Sequence, residues 1–511
     1  MKGRDCSPVV RAAPATMSPR RRHAGRRSLR AAGAGCAAML TVWLVAVRLA
    51  SGHAIILEST PKQDETVVAP RRLVLRFNSR IERKLSSVSL VGPRQTGILL
   101  LRQEMDAAPD TLVFHLPSLA PGFYRARWKV MSSDGHVTEG AVAFTVKDGA
   151  GSRAISTASG VPPVVDASNL YSEAGAGKLS PAVAGALARV YVPNVKSSDV
   201  YVIDPATFKV VDRFGVGMNP QHVVPAYDLR TLWVANNAEG RTDGSLTPID
   251  PVTGKPGKAI PVDDPYNMYF SPDGRSAIVV AEALKRLDFR DPHTMALQGS
   301  LALPQCAGVN HADFSIDGRF AVFTCEFQGG LAKIDVVDRA VLGYLKLSRG
   351  GMPQDIRIAP DGGVFFVADM AAGGVFLVDA ADFAETGFIK TGVGTHGLYP
   401  SRDGTRLYVA NRGSSHINGR PKGKGSVSVI DFATRRIVAT WPIPGGGSPD
   451  MGNVSADGRT LWLSGRYDDV VYAIDTATGQ VRTIPVGKEP HGLTVWPQPG
   501  RYSLGHTGNM R

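Results

Sequence analysis

Short runs in the first third of the chain alternate apolar and polar side chains. They are Leu73-Val74-Leu75-Arg76-Phe77, Val88-Ser89-Leu90-Val91, Leu112-Val113-Phe114-His115-Leu116, Tyr124 to Val130 and Ala141 to Val146. A period of two turns one face of each run inward, and Gly92-Pro93, Pro121-Gly122 and Asp134-Gly135 punctuate them as turns. Strands at this spacing over residues 53–148 predict a β-sandwich. Across 149–188 the alternation stops and Gly, Ala, Ser and Pro dominate, which reads as a linker with a short helix near Pro181–Ala188.

Beyond it the pattern repeats. Ile203-Asp204, Ile249-Asp250, Arg290-Asp291, Ile334-Asp335, Val378-Asp379, Ile430-Asp431 and Ile474-Asp475 recur at intervals of 41 to 52 residues. Each repeat also carries an aromatic or β-branched run, such as Leu232-Trp233-Val234 or Leu407-Tyr408-Val409. Asp-Gly turns recur at 273, 317, 361, 403 and 457. All-β units of this length predict a β-propeller, here of seven blades over residues 189–500. The lone strand His491–Val495 is expected to complete the first blade and close the ring, which removes both sheet edges. Ser414–Gly425 reads as a surface insertion, and 501–511 as a tail. The fold class is therefore all-β, a sandwich followed by a propeller.

Composition and charge narrow the partners. Glycine (56) and proline (35) are abundant, as many short strands require. The net charge is +13, but residues 1–52 hold ten Lys/Arg and one acid. The rest carries only +4, too little for a nucleic-acid surface. The leader has a basic stretch from Arg20 to Arg30, an uncharged apolar run from Ala31 to Val47, and the small residues Ala50-Ser51-Gly52. That is an export signal, cleaved after Gly52 or retained as an anchor. A periplasmic or extracellular location follows, with membrane contact only if the leader stays.

Cleavage after Gly52 would make His53 the first residue. A free α-amine beside an imidazole is a ready chelate for a cation such as Cu(II). Asp134 and His136 flank Gly135, so a tight turn could aim both side chains at one point; alternatively it is a plain hairpin turn. His53-Ala54, Pro61, Leu75-Arg76-Phe77, Leu119-Ala120-Pro121-Gly122-Phe123-Tyr124, Trp128 and Ser132-Ser133-Asp134-Gly135-His136 resemble the CopC family of secreted copper-binding proteins. The resemblance implies a Greek-key sandwich holding one Cu(II) through His53, Asp134 and His136. Only Met105 and Met131 lie in this segment, so the methionine-rich Cu(I) site of some members is not expected. The blades are similar to YVTN-type, YncE-like repeats, marked by Val234-Ala235-Asn236 and Val409-Ala410-Asn411.

In a propeller, residues opening each innermost strand lie near the axis. Here they are Gln221-His222, Tyr266-Asn267, Asn310-His311, Gln354-Asp355, His396-Gly397, Asp450-Met451 and His491-Gly492. Second strands end near the same face, at Asn236, Glu282, Glu326, Asp369, Arg412 and Arg466. Imidazole with carboxylate suits Cu or Zn, so His222, His311, His396, His491, Asp355 and Asp450 form a candidate axial site. The bland alternative is that they cap strand backbone or hold water. Cys306 and Cys325 bracket His311; a disulfide, free buried thiols and copper ligation are all open. No CxxCH, Walker loop, GxSxG or HExxH occurs.

These readings favour an exported copper-binding protein for copper homeostasis or resistance, with the propeller as platform for a ligand or a partner such as a copper transporter or cuproprotein. The alternatives are a metal-dependent oxidoreductase working at the propeller axis, and an adhesion propeller with structural copper.

Overall fold

A computed structural model describes residues 54–68, 70, 72–92, 99–100, 107–116, 119, 122–133, 135–147, 160–419 and 423–511. It is almost wholly β. The leader, His53, Asp134 and Cys6 and Cys36 lie outside the described residues.

The first unit is a two-sheet sandwich. One sheet orders Ile56–Thr60, Arg72–Phe77 and Thr111–His115; the other orders Glu65–Val68, Val137–Lys147, Gly122–Met131, Ser87–Val91 and Leu99–Leu100. Glu65–Val68 joins its neighbour in parallel, and the long pair Gly122–Met131 and Val137–Lys147 runs antiparallel. The alternation read from sequence decides what is inside. Leu73, Leu75 and Phe77 point inward from one strand and meet Leu90, Leu112, Phe114, Ala126 and Phe144. Trp128 lies edge-on to Phe77 at 5.3 Å. Its ring covers Gly140 on the paired strand, where a Cβ would fall 2.4 Å from the indole, so that position accepts no side chain.

The second unit is a ring of seven antiparallel sheets. The innermost strands are Pro220–Pro225, Pro265–Phe270, Val309–Phe314, Pro353–Ile358, Thr395–Pro400, Pro449–Val454 and Thr494–Trp496. They are buried on both faces, whereas outer strands such as Lys209–Gly215 alternate towards solvent. Thr494–Trp496 pairs with Arg189–Asn194, so the end of the chain closes the first blade. The repeated aspartate proves to be a turn device. In blade after blade its side chain accepts from backbone N–H groups two or three residues on, as Asp250 does from Val252 and Asp475 from Ala477 and Thr478. The residue four on takes positive φ: Phe208, Gly254, Met295, Arg339, Phe383, Arg435 and Gly479. None of these seven residues is β-branched and two are glycine, as a left-handed position prefers.

Two segments differ from expectation. From residue 160 the supposed linker packs on the propeller: Leu170, Tyr171, Ala174 and Val183 are buried, and the Tyr171 hydroxyl donates to the Ile358 carbonyl at 2.6 Å. Only one helical turn, Pro181–Val183, occupies the predicted helix. The last eleven residues are no loose tail. The Leu504 carbonyl accepts from Phe270, the Ser503 hydroxyl donates to Pro225, and Arg511 reaches Asp313 at 2.7 Å. These partners sit at the far ends of the inner strands, so the segment lies across the face opposite the axial residues' entrance. Apolar Tyr502, Leu504 and Met510 drive it there.

Candidate metal centre

Each full inner strand opens with a register irregularity: between Pro220 and His222, Pro265 and Asn267, Val309 and Ala312, Pro353 and Ile356, Thr395 and Leu398, and Pro449 and Gly452. A bulge there suspends the strict in–out alternation. Two adjacent side chains of one strand can then serve the axis. They stack as two rings, one of Gln221, Tyr266, Asn310, Gln354, His396, Asp450 and His491, the next of His222, Asn267, His311, Asp355, Gly397, Met451 and Gly492. Gly492 is what admits His222: a Cβ on it would stand 1.9 Å from the imidazole Nδ1.

In the outer ring Asp450 is the hub. Its Oδ1 accepts from Arg412 Nε and Nη2 at 3.0 and 2.7 Å, and its Oδ2 lies 2.8 Å from His491 Nδ1. His396 Nδ1 is 3.0 Å from Oδ1 but off the hydrogen-bonding direction, and Arg466 is 3.9 Å away. Burial would raise the Asp450 carboxyl, but Arg412 and the two imidazoles hold it well below the usual range. Glu282 and Glu326 are raised by burial, Glu282 also by the charge of Glu326. Glu326 is held by Asn310 and Gln354, each at 2.9 Å.

Asp355 belongs elsewhere. Its carboxylate accepts from the Ile356 N–H, from Arg357 at 3.0 Å and from the Leu398 N–H of the next blade. Asp313 and Asn453 make the same inter-blade stitch to Ile358 and Val495. Asp369 likewise accepts from the Met352 and Ala372 N–H groups. Asp355 therefore sits among the axial candidates by position and ties blades together by bonding.

The inner ring gathers histidines. His222 and His311 are joined by His506, which the closing segment inserts from the opposite face. Ring centroids are 4.1 Å apart for His222–His506, 4.4 Å for His311–His506 and 5.5 Å for His222–His311. One ligand nitrogen from each lies within 4.8 Å of the others. All three are fully buried. Both nitrogens of His222, both of His506 and Nε2 of His311 have no hydrogen-bond partner. His491 leans in, 4.8 Å from His222, with its Nε2 also unpartnered. Burial, then the neighbouring imidazoles, depresses His222, His311 and His506 well below the ordinary histidine value. Burial and the guanidiniums bring His396 to about 4 and His491 to about 3. All five are neutral at pH 7, the ligating form.

Sequence reasoning missed His506 because it belongs to no repeat. The signal was present as Gly505-His506-Thr507-Gly508 amid Tyr502, Leu504 and Met510, an apolar segment carrying one histidine. Cys306 and Cys325, both buried, are joined as a disulfide, so neither offers a thiolate beside His311.

In the sandwich, the turn Ser132–His136 links the two long strands. Ser132 N–H donates to the His136 carbonyl at 2.9 Å, and Gly135 takes φ +86°. His136 is exposed on that turn. Two residues on, the Thr138 hydroxyl donates to the Ala54 carbonyl at 3.1 Å, and Ala54 is buried. Asn78 holds Ile55 from the other side, at 2.8 Å through Oδ1 and 3.0 Å through its N–H. His53 and Asp134, the other two predicted ligands, lie outside the described residues.

A small sandwich with an exposed histidine turn, fused to a propeller with a histidine-lined axis, defines a two-module β protein built around nitrogen donors. Residues 150–499 match the YNCE-like beta-propeller family and residues 56–147 the CopC domain, and the chain belongs to the YncE-like propeller family with a CopC domain at its front. It is 31% identical to "Copper resistance protein C" of Xanthomonas campestris pv. juglandis over 118 residues, 21% of this chain and 93% of that one. It is 35% identical to "Protein YobA" of Escherichia coli strain K12 over 99 residues, 19% of this chain and 79% of that one. The periplasmic gluconolactonase PpgL of Pseudomonas aeruginosa shares the propeller fold, with a TM-score of 0.50 and 20% identity over 60% of this chain and 98% of that one. Among the described residues, no helix is long and apolar enough to cross a membrane.

Proposed function

We propose that this chain is an exported copper-binding protein of copper homeostasis or resistance. Its sandwich holds one Cu(II) through the amine and imidazole of His53, the carboxylate of Asp134 and the imidazole of His136. The propeller serves as the platform for a ligand or partner. The observation that carries the reading is the hydrogen bond from Thr138 to the Ala54 carbonyl. It anchors the residue after His53 to the strand that begins beside His136, and one further residue spans about 3.8 Å. The donor set fits the ion: nitrogen ligands with one carboxylate suit tetragonal Cu(II). The printed name of the copper resistance protein and the CopC match point the same way.

The domain plan that accompanies this reading is a leader to residue 52, a sandwich over 53–148 and a propeller over 189–500, with 160–188 and 501–511 belonging structurally to the propeller. The test is mass spectrometry of the exported chain with copper counting on wild type, His53→Ala and His136→Ala. A chain starting at His53 whose Cu(II) is lost in both variants supports the reading. An intact leader, or unchanged Cu(II) in both variants, overturns it.

A further inference from the structure

The axial cluster uses a different part of the chain and different chemistry. Five imidazole nitrogens, on His222, His311 and His506, are fully buried and unpartnered. A buried polar group without a partner destabilises a fold, and a fold that gathers several in one place needs a reason. One ligand nitrogen from each lies within 4.8 Å of the others, near enough for one ion to draw them together.

We propose that His222, His311 and His506 form a second copper site, on the propeller axis, that holds a cuprous ion. Three neutral imidazoles are a competent donor set for copper. The charge state follows from the surroundings. Three nearby carboxylates already have a guanidinium: Asp450 with Arg412 at 2.7 Å, Asp355 with Arg357 at 3.0 Å, and Asp313 with Arg511 at 2.7 Å; Glu326 is held instead by the amides of Asn310 and Gln354, and burial pushes it and Glu282 towards the neutral form. Arg466 adds a further positive charge 3.9 Å from Asp450. No unmatched anion is left to offset a dication, and the cost of burying an ion rises with the square of its charge. A monocation is the tolerable cargo.

His311 requires one adjustment. Asn267 Nδ2 lies 3.0 Å from its Nδ1 while Asn267 Oδ1 accepts from Met268, so the ring proton faces the cluster on Nε2. Ligation through Nε2 puts the ring proton on Nδ1, so the amide must turn over to accept it, giving up the bond its Oδ1 now accepts from the Met268 N–H. Asn267 is thus a positioning residue.

The site is tested in the full chain carrying His136→Ala, which removes the sandwich ligand and so separates the two readings. The metal-free protein is titrated anaerobically with Cu(I) against a chromophoric competitor, and copper is also counted after growth in copper. One Cu(I) per chain is expected, with nitrogen and no sulfur around it by X-ray absorption. His222→Gln and His506→Gln, each added to this background, should weaken binding about tenfold or more while the unfolding transition persists. Asn267→Asp, whose carboxylate accepts the Nδ1 proton without turning, should tighten it. Three results would each overturn the site: no copper by either loading route, undiminished copper in both glutamine variants, or displacement of Cu(I) by an equal concentration of Zn(II).

Discussion

The two histidine centres are built in opposite ways. His136 stands exposed on a turn closed by its immediate neighbours, and Ala54 is tied two residues along, to Thr138. His222, His311 and His506 are sealed inside, drawn from blades two and four and from the closing segment. An exposed turn can exchange its ion with a partner at little structural cost. A buried axis exchanges an ion only as the fold around it moves. The lesson is that the same side chain serves transfer or retention according to how much fold must move to reach it.

Four changes sharpen the contrast. The largest effect is expected from deleting residues 501–511, which strips Tyr502, Leu504 and Met510 from their burial and unpairs Asp313. The propeller transition should lose about 5 kcal/mol or more while that of the sandwich stays put, measured by denaturant unfolding. Asp450→Asn comes next. It leaves Arg412 and Arg466 buried without their carboxylate and should cost about 3–5 kcal/mol in the same assay.

Asp264→Asn gives a smaller effect with a pH signature. Burial raises this carboxyl to about 6, although the Leu284 N–H donates to it. Between pH 4 and 6 the folded chain therefore binds more protons than the unfolded one, and stability falls as pH rises through that window. The amide avoids the penalty. It should stabilise the propeller by about 1 kcal/mol at pH 7.5, reduced from the full linkage by screening, with no gain at pH 3.5. The same difference from wild type at both pH values would refute the assignment. Last, His136→Ala should change stability by less than about 0.5 kcal/mol, because the side chain is exposed, while abolishing Cu(II) binding to the sandwich.

What could be read beforehand follows the same division. The seven blades were legible because Asp204 and its six equivalents act locally, capping a turn whose left-handed residue lies four positions on. The sandwich strands were legible because alternation alone selects Leu73, Leu75 and Phe77 for the core. His222 and His311 were placed at the axis by the repeat itself. His506 was not, since nothing near it in sequence records that Tyr269 and Phe270 wait across the ring to pair with its neighbours. Asp355 looked like a ligand by residue type; only the Leu398 N–H of the next blade reveals it as a stitch. The stretch from Leu170 to Val183 looked like linker because its partners, Ile358 and Pro360, are almost two hundred residues away.

The position of His506 in the chain sets an order of events. It is made after every blade, and it arrives at the axis only on a segment that needs the far ends of the inner strands as its seat. The three imidazoles therefore meet last, once the seventh blade has been synthesised and the ring joined. A half-made propeller has two of them and no enclosure, so the cluster exists only in the finished molecule.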